Sequence, residues 1–180
     1  MIVADISQPA LAKAQELITL HGLSHRALFK QADGLNALTA VPAQAISLMG
    51  MGGDTMCSIL QSGEKKLQGA ALILSPHTEI HAVRAVLSHI SYAITDEVIT
   101  RSGGRFYVII KALPGQAEYT DKELLLGPCL MKQRPVLYPA YLSWRHRVAQ
   151  KALSALSESD KSNSISEWQR LSDYIVEEMQ

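Results

Sequence analysis

Three glycines in four residues, Gly50-Met51-Gly52-Gly53, stand between an apolar run, Ala45 to Met49, and a short helical run, Met56 to Leu60. Where a strand turns into a helix, missing Cβ atoms let the backbone approach a bound molecule closely. The turn lacks the third glycine of a G-x-G-x-x-G fingerprint, since Thr55 stands there, and the chain has no Gly-Lys-Ser/Thr phosphate loop. Both absences argue against NAD or a nucleoside triphosphate. Two further loop signals lie upstream: Asp5 after the first apolar run, and Ala32-Asp33-Gly34-Leu35 after the second.

In open α/β sheets, ligands bind outside the carboxyl ends of the strands, near the point where strand order reverses. Asp5 in that place either accepts from ribose hydroxyls or satisfies a loop or helix N-terminus, and its spacing leaves both open. Asp33-Gly34 either sets a carboxylate against an adenine amino group or is a plain turn; taken alone, the pair favours the turn.

The elements that must position these loops follow from the pattern. Met1 to Ile6 and Arg26 to Gln31 read as strands, with a helix between them capped by Ser7, carrying Leu11, Ala14 and Ile18, and stopped by Gly22. Ala45 to Met49 is a third strand, followed by the glycine turn and a helix ending near Gly63. Ala70 to Leu74 is a continuous apolar run, expected to be buried on both faces. Ile80, Val83, Leu87 and Ile90 stripe the next helix. Tyr92 to Thr100 and Arg105 to Ala112 flank Ser102-Gly103-Gly104 as a β-hairpin. Strand–helix alternation ending in a hairpin predicts a mostly parallel sheet with one antiparallel strand. After Gly115 the texture turns helical. Glu123 to Leu126 makes a helical turn stopped by Gly127-Pro128. Leu137, Tyr141, Trp144, Val148, Ala152 and Leu156 stripe a long helix, 157–163 is a polar linker, and Ser164 with Glu167 forms a capping box. Ile165, Trp168, Leu171, Ile175 and Met179 stripe the last helix, so the C-terminal part reads as a helical hairpin of coiled-coil character.

The chain has 180 residues, 47% of them hydrophobic, and no net charge, so the total speaks for neither nucleic acid nor membrane. No apolar run approaches the roughly 20 residues of a membrane-spanning helix, and no charged-then-apolar leader precedes Ile2. Cys57 and Cys129 lie far apart without metal spacing, which predicts two free buried thiols, a reducing compartment and a cytoplasmic location. His77 and His81 stand four apart at a helix start and could share a metal. No third ligand follows at recognisable spacing and Glu79 is expected to point elsewhere, so no metal is expected.

The ordered segments Ala32-Asp33-Gly34-Leu35, Gly50-Met51-Gly52-Gly53, Leu72-Ile73-Leu74-Ser75-Pro76-His77, Asp96-Glu97, Tyr107, Tyr119-Thr120 and Gly127-Pro128 resemble the bacterial tRNA (adenine(22)-N(1))-methyltransferase family. The resemblance runs from about Val3 into the helical region, where the match is one of character only. It implies an α/β, Rossmann-like, S-adenosylmethionine-dependent methyltransferase domain over 1–118 and a C-terminal helical coiled-coil hairpin over 119–180. It further implies that Asp5 and Ile6 take the ribose, that Asp33 and Gly34 take the adenine, and that Gly50 serves the methionine end. Gly50, Met51, Gly52 and Gly53, with Ser75, Pro76 and His77, would form the target-base side. The implied partner is tRNA, and the oligomeric state stays open.

Two departures accompany the resemblance. The family has Gln-Pro-Asn where this chain has Ser75-Pro76-His77; an Asn amide both donates and accepts, whereas His77 does so only when neutral. The family's sheet order is three-two-one-four-five-seven-six, and this chain opens on what resembles the second strand. The resemblance therefore implies a sheet lacking its first, central strand, two unpaired edges in mid-core and an incomplete cofactor site, with a true start upstream of Met1 as the expected explanation. Within the C-terminal part no acid occurs between Glu123 and Glu158, while Arg134, Arg145, Arg147 and Lys151 are basic and Tyr138, Tyr141 and Trp144 are interleaved. Such a stretch either meets RNA phosphates and unstacked bases or packs its aromatics and is neutralised by Asp173, Glu177 and Glu178; the tRNA substrate implied by the resemblance favours RNA. The competing expectation is a non-catalytic RNA-binding or interaction remnant of the same family.

Overall fold

The computed structural model describes residues 1–38, 42–155 and 162–180. β1 (Ile2–Asp5) is followed by Ser7, whose Oγ accepts from the Ala10 N–H at 3.4 Å and caps α1 (Gln8–Leu20). Gly22, at φ +69°, turns the chain out of that helix. β2 (Leu28–Gln31) returns parallel to β1, with Ile2 beside Leu28 and Asp5 beside Gln31. The 3-10 turn Gly34–Ala37 then buries Leu35 against Gly63; a Cβ at Gly63 would meet the Leu35 side chain at 2.5 Å. That contact anchors the β1–α1–β2 unit on the rest of the chain.

β3 (Ala45–Met49) and β4 (Ala71–Ser75) pair in parallel across α2 (Gly53–Ser62) and α3 (Glu64–Leu67). α2 begins inside the glycine turn, at Gly53, three residues before the helical run read from sequence. After α4 (Ile80–His89), the hairpin of β5 (Tyr92–Ser102) and β6 (Arg105–Pro114) closes through Gly103 and Gly104, both at positive φ as a two-residue primed turn requires. β6 lies between β4 and β5 and is antiparallel to both. The strands form two sheets, β1-β2 and β3-β4-β6-β5, and among the described residues no strand covers the other edge of β1 or of β3.

Cross-strand register explains the core. Ile46, Leu72, Ala112 and Ile94 align across four strands and are all buried, as are Leu48, Leu74 and Ile110 in the next row. Met56, Leu60, Val83 and Leu87 from α2 and α4 close over them. The opposite row runs Ser47, Ile73, Lys111 and Asp96, so Ile73 is only half-buried. The expectation that β4 is covered on both faces is therefore corrected: polar neighbours on both sides leave its second face partly open.

The second buried row ends on a carboxylate. Glu97 lies opposite Ile110 and is 1% exposed, and it meets Arg84 of α4, which is 0% exposed. Arg84 Nε donates to Glu97 Oε1 at 2.8 Å, and its Nη1 donates to the carbonyl oxygens of Leu124 at 2.7 Å and Leu125 at 3.3 Å. Those carbonyls belong to α5 (Asp121–Leu126), which opens on a Thr120–Glu123 capping box. Glu97 Oε2 accepts from the Cys129 N–H at 2.9 Å and the Leu130 N–H at 3.3 Å, in the first turn of α6 (Pro128–Gln133). Between the two helices Gly127 adopts φ +103°, and a Cβ there would meet Arg84 Nη2 at 2.7 Å and Glu97 Oε2 at 2.8 Å.

α7 (Tyr138–Ala155) and α8 (Ser162–Glu178) run antiparallel, joined by a hydrogen bond from Gln150 Nε2 to Ser172 Oγ at 2.8 Å. Tyr138, Tyr141, Leu142 and Ala149 are the buried residues of α7, while Val148 is 38% exposed. The buried stripe is thus rotated from the one read from sequence: Tyr138, Leu142 and Ala149 lie on it, and Val148 does not. Leu156, most of the 157–163 linker and the side chain of Ser164 lie outside the described residues; positions 162 and 163 open α8.

Breaking the buried pair from one side leaves an uncompensated charge. Arg84→Met is expected to lower the unfolding free energy in urea by about 3–5 kcal/mol, and the double change Arg84→Met with Glu97→Leu to recover most of that loss. A single variant within about 1 kcal/mol of the parent would show that the pair carries no such weight.

Candidate functional site

The glycine turn and the loop after β4 are laced together at the carboxyl ends of neighbouring strands. The Met51 carbonyl accepts from the His77 N–H at 2.9 Å, and the Gly53 N–H donates to Thr78 Oγ1 at 3.3 Å. The glycines serve different ends. Gly50 holds φ +77° with open space where a Cβ would stand, so its freedom serves the turn itself. At Gly53 a Cβ would meet the backbone oxygens of Thr78 at 2.5 Å and Glu79 at 2.7 Å, so that glycine admits the β4–α4 loop. Gly52 is intermediate, with Thr78 Oγ1 at 3.2 Å from a built Cβ.

Of the three residues read as the base-facing segment, Ser75 and Pro76 are buried and His77 is exposed. The His77 ring stands edge-on to Tyr107 of β6, centroids 5.8 Å apart at 65°. His77 is therefore the one side chain of the three that a substrate can reach. The contact of Tyr107 with His77 joins residues far apart in sequence.

The first two loops adjoin each other as well. The Asp5 carbonyl accepts from the Ala32 N–H at 3.2 Å, and the Ile6 carbonyl accepts from Gln31 Nε2 at 3.1 Å. Asp5 Oδ1 accepts from the Ser7 N–H at 2.7 Å, which is the loop-satisfying alternative read from sequence; its other oxygen makes no hydrogen bond among the described residues. Asp33 precedes the 3-10 turn without capping it, and its exposed carboxylate has no partner among the described residues. Gly34, at φ +50°, lies against Ile59 of α2, 3.0 Å from a built Cβ. The four loops thus occupy strand carboxyl ends, Asp5, Ile6, Asp33 and Gly34 by one sheet and Gly50 to Gly53 with Ser75 to His77 by the other.

The basic stretch divides. Arg134 pairs with Glu178 at 2.6 Å, and Arg145 donates to the Leu125 carbonyl with its guanidinium over the Tyr141 ring. Arg147 and Lys151 are exposed and form no ion pair among the described residues. Tyr141 and Trp144 pack on Phe106 of β6, so those aromatics belong to the core of the helical part. A cleft of about 460 Å³ separates the start of α4 from α7 and α8, with His77, Thr78, Trp144 and Trp168 on its walls.

Cys57 and Cys129 are free and half-buried, not fully buried as expected. Burial, with Glu97 and Asp96 nearby, pushes the Cys129 thiol up to about 11, and burial with Asp54 nearby raises that of Cys57. Both thiols stay protonated at neutral pH and are poor nucleophiles. Glu79 also needs correction: its Oε2 lies 3.7 Å from His81 Nδ1, so it points toward that ring and not away from it. No helix among the described residues is long and apolar enough to cross a membrane.

Sequence reasoning missed Arg84 and Glu97 as the groups that hold the site's supports. The signal was present, since Arg84 falls beside Val83 and one turn from Ile80 and Leu87, on the apolar stripe of α4.

Gly53→Ala is expected to lose more stability in urea than Gly50→Ala. The latter meets only left-handed backbone strain of about 1–2 kcal/mol, whereas the former must also push the Thr78 backbone aside. Equal losses would mean that the two loops are not packed through Gly53.

A family model described as tRNA (adenine(22)-N(1))-methyltransferase matches residues 1–179. A curated tRNA (adenine(22)-N(1))-methyltransferase of Bacillus subtilis is 32% identical over 144 residues, covering 76% of this chain and 60% of that protein. The chain spans about three-fifths of the length of the curated relatives it matches. The crystal structure of the B. subtilis m1A22 tRNA methyltransferase superposes with a TM-score of 0.82 at 25% identity, covering 99% of this chain and 81% of that one. A Streptococcus pneumoniae protein crystallised with S-adenosyl-L-methionine gives a TM-score of 0.86 at 23% identity, over 99% of this chain and 80% of that one. The fold is the α/β, Rossmann-like methyltransferase fold.

Proposed function

The chain belongs to the tRNA (adenine(22)-N(1))-methyltransferase family, and we propose that it transfers a methyl group from S-adenosylmethionine to N1 of adenine 22 in tRNA. The observation that carries the reading is the lacing of Gly50–Gly53 to the Ser75–Thr78 loop, which makes one surface of two strand-end loops. Asp33 supports the cofactor assignment, because an exposed carboxylate without a partner among the described residues suits an adenine amino group, with Gly34 beneath it. Asp5 keeps one oxygen for ribose while the other holds the Ser7 N–H, and Ile6 lies beside it. Gly50 faces the methionine end.

The chemistry asks little of a base. Adenine N1 carries an in-plane lone pair and attacks the sulfonium methyl in line; the N1–CH₃ bond forms as the S–CH₃ bond breaks and the sulfur keeps the electron pair. Alignment and exclusion of water are the protein's tasks. The target adenine must leave its stack to expose N1. His77, braced by Tyr107, offers one donor and one acceptor in its neutral form and is the positioning residue of this loop. Met51, Gly52 and Gly53 form the floor opposite it, with Ser75 and Pro76 buried behind.

The helical residues 119–180 serve as the RNA-facing part, a hairpin meeting in coiled-coil fashion, and residues 1–118 as the cofactor part. Arg147 and Lys151 are the phosphate contacts; Arg134 and Arg145, engaged with Glu178 and Leu125, contribute to the field around them. Among the described residues no strand covers the second edge of β1 or of β3, and this supports weak binding of S-adenosylmethionine by the chain. The reaction takes place where tRNA resides, in the cytoplasm.

A tRNA transcript incubated with the chain and saturating S-adenosylmethionine tests this. Primer extension is expected to stop at a single m1A at position 22, and the product is expected to disappear when guanine replaces that adenine or when Gly52→Val is used. Methylation at another position, or an unaltered rate in Gly52→Val, would contradict the assignment. Arg147→Gln and Lys151→Gln are each expected to weaken tRNA binding at every sequence alike and to reduce the slope of log K against log salt by about 1. An unchanged slope would remove these side chains from the interface.

A further inference from the structure

One group of ionisable side chains takes no part in the site above. Glu79 precedes α4, His81 lies in its first turn, and Glu167 arrives from α8; one ligand atom from each can be chosen so that all lie within 4.8 Å of one another. His81 Nε2 is 3.2 Å from Glu167 Oε1, and Nδ1 is 3.7 Å from Glu79 Oε2. Glu79 occupies the N-cap position of α4 yet makes no capping hydrogen bond, so its carboxylate is turned to the histidine and not to the helix. The His81 side chain is 30% exposed and the two carboxylates 47% and 41%, open enough for an ion to enter.

We infer that Glu79, His81 and Glu167 form a divalent transition-metal site, of zinc type, that fastens α8 to the start of α4. A tetrahedral ion with bonds of about 2.0–2.1 Å holds neighbouring ligand atoms about 3.3 Å apart. The His81–Glu167 distance already matches that edge. Glu79, which now lies beside the other ring nitrogen, Nδ1, completes the set by a side-chain rotation that carries its carboxylate to the Nε2 side, and the fourth place faces the cleft between α4 and α8. One imidazole with two carboxylates selects zinc or a similar first-row ion over magnesium or calcium, which prefer all-oxygen shells. The N-terminal dipole of α4 opposes a cation by about 0.3–1 kcal/mol, and the two carboxylates outweigh it. Arg145 also lines the cleft, but its guanidinium is turned to the Leu125 carbonyl and the Tyr141 ring. The proposal revises the expectation of no metal, which rested on the lack of a third ligand near His77 and His81; α8 supplies that ligand, and His77 stays with Tyr107.

The ion supplies no step of methyl transfer. It fixes the width of the cleft and with it the pose of the helical hairpin against the β4–α4 loop.

The test uses the whole chain, first treated with chelator, then titrated with zinc chloride by calorimetry, with magnesium chloride in parallel. Zinc is expected to bind at one ion per chain and to raise Tm; His81→Ala and Glu167→Gln abolish that binding, whereas His89→Ala at the far end of α4 leaves it unchanged. Cobalt(II) substitution is expected to give the intense visible absorption of a four-coordinate site, absent in His81→Ala. Zinc binding that survives both variants, or no binding at one ion per chain, overturns the site. Equal binding of magnesium overturns the assignment of ion type. A Tm that His81→Ala lowers but zinc leaves unchanged would make the cluster a histidine hydrogen-bonded between two carboxylates and would overturn the site too.

Discussion

The buried pair of Arg84 and Glu97 is the constraint on which the rest of the fold depends. Each charge alone would cost several kcal/mol in the interior. The loss is offset because nearly every polar atom of the pair is used: Nε on the carboxylate, Nη1 on two carbonyls at the end of α5, and Oε2 on two N–H groups at the start of α6. One charge satisfies the end of a helix and the other its successor's beginning, as the dipoles of both helices favour. Gly127 makes the arrangement possible, since any side chain would displace both charges.

Function follows from what the pair connects. Arg84 sits on α4, and the loop that starts α4 is the loop laced to the glycine turn. Glu97 sits on β5, beside the strand that carries Tyr107. The pairing of β4 with β6 brings His77 to Tyr107, while the two charges seat α5 and α6; α8 is held against α5 by Lys122–Glu177, Lys122–Glu178 and Arg170–Asp121. Of these, Arg170–Asp121 is exposed and individually weak, while Lys122 and Glu178 are largely covered. The hairpin is aimed from the core and only trimmed at the surface.

Much of this was legible in the residues. Alternating strands and helices, the Gly103-Gly104 hairpin, the Gly127-Pro128 break and the glycine turn are local signals, and each lies where sequence placed it, with α2 starting earlier and β5 and β6 running longer. What escaped is non-local. An arginine inside an apolar stripe reads as a flaw in the periodicity until its partner is known, and Glu97 gives no hint that it faces inward. The buried face of α7 differs from the sequence pattern by a fraction of a turn, with Tyr138, Leu142 and Ala149 inside and Val148 exposed. Glu79, His81 and Glu167 meet only because two helices distant in sequence converge. The order of segments implies one sheet lacking a strand, whereas the described strands divide into two sheets, β1-β2 and β3-β4-β6-β5, a division that no local signal carries.

The central claim is that the cofactor lies across the strand-end loops, from Asp33 and Gly34 to the glycine turn. Hydrogen–deuterium exchange with and without saturating S-adenosylmethionine addresses it most directly. The account predicts slowed exchange at the backbone amides of 33–35 and 50–53, with the far ends of α7 and α8 unaffected. Slowing confined to other segments, or none at these loops under saturation, would contradict it.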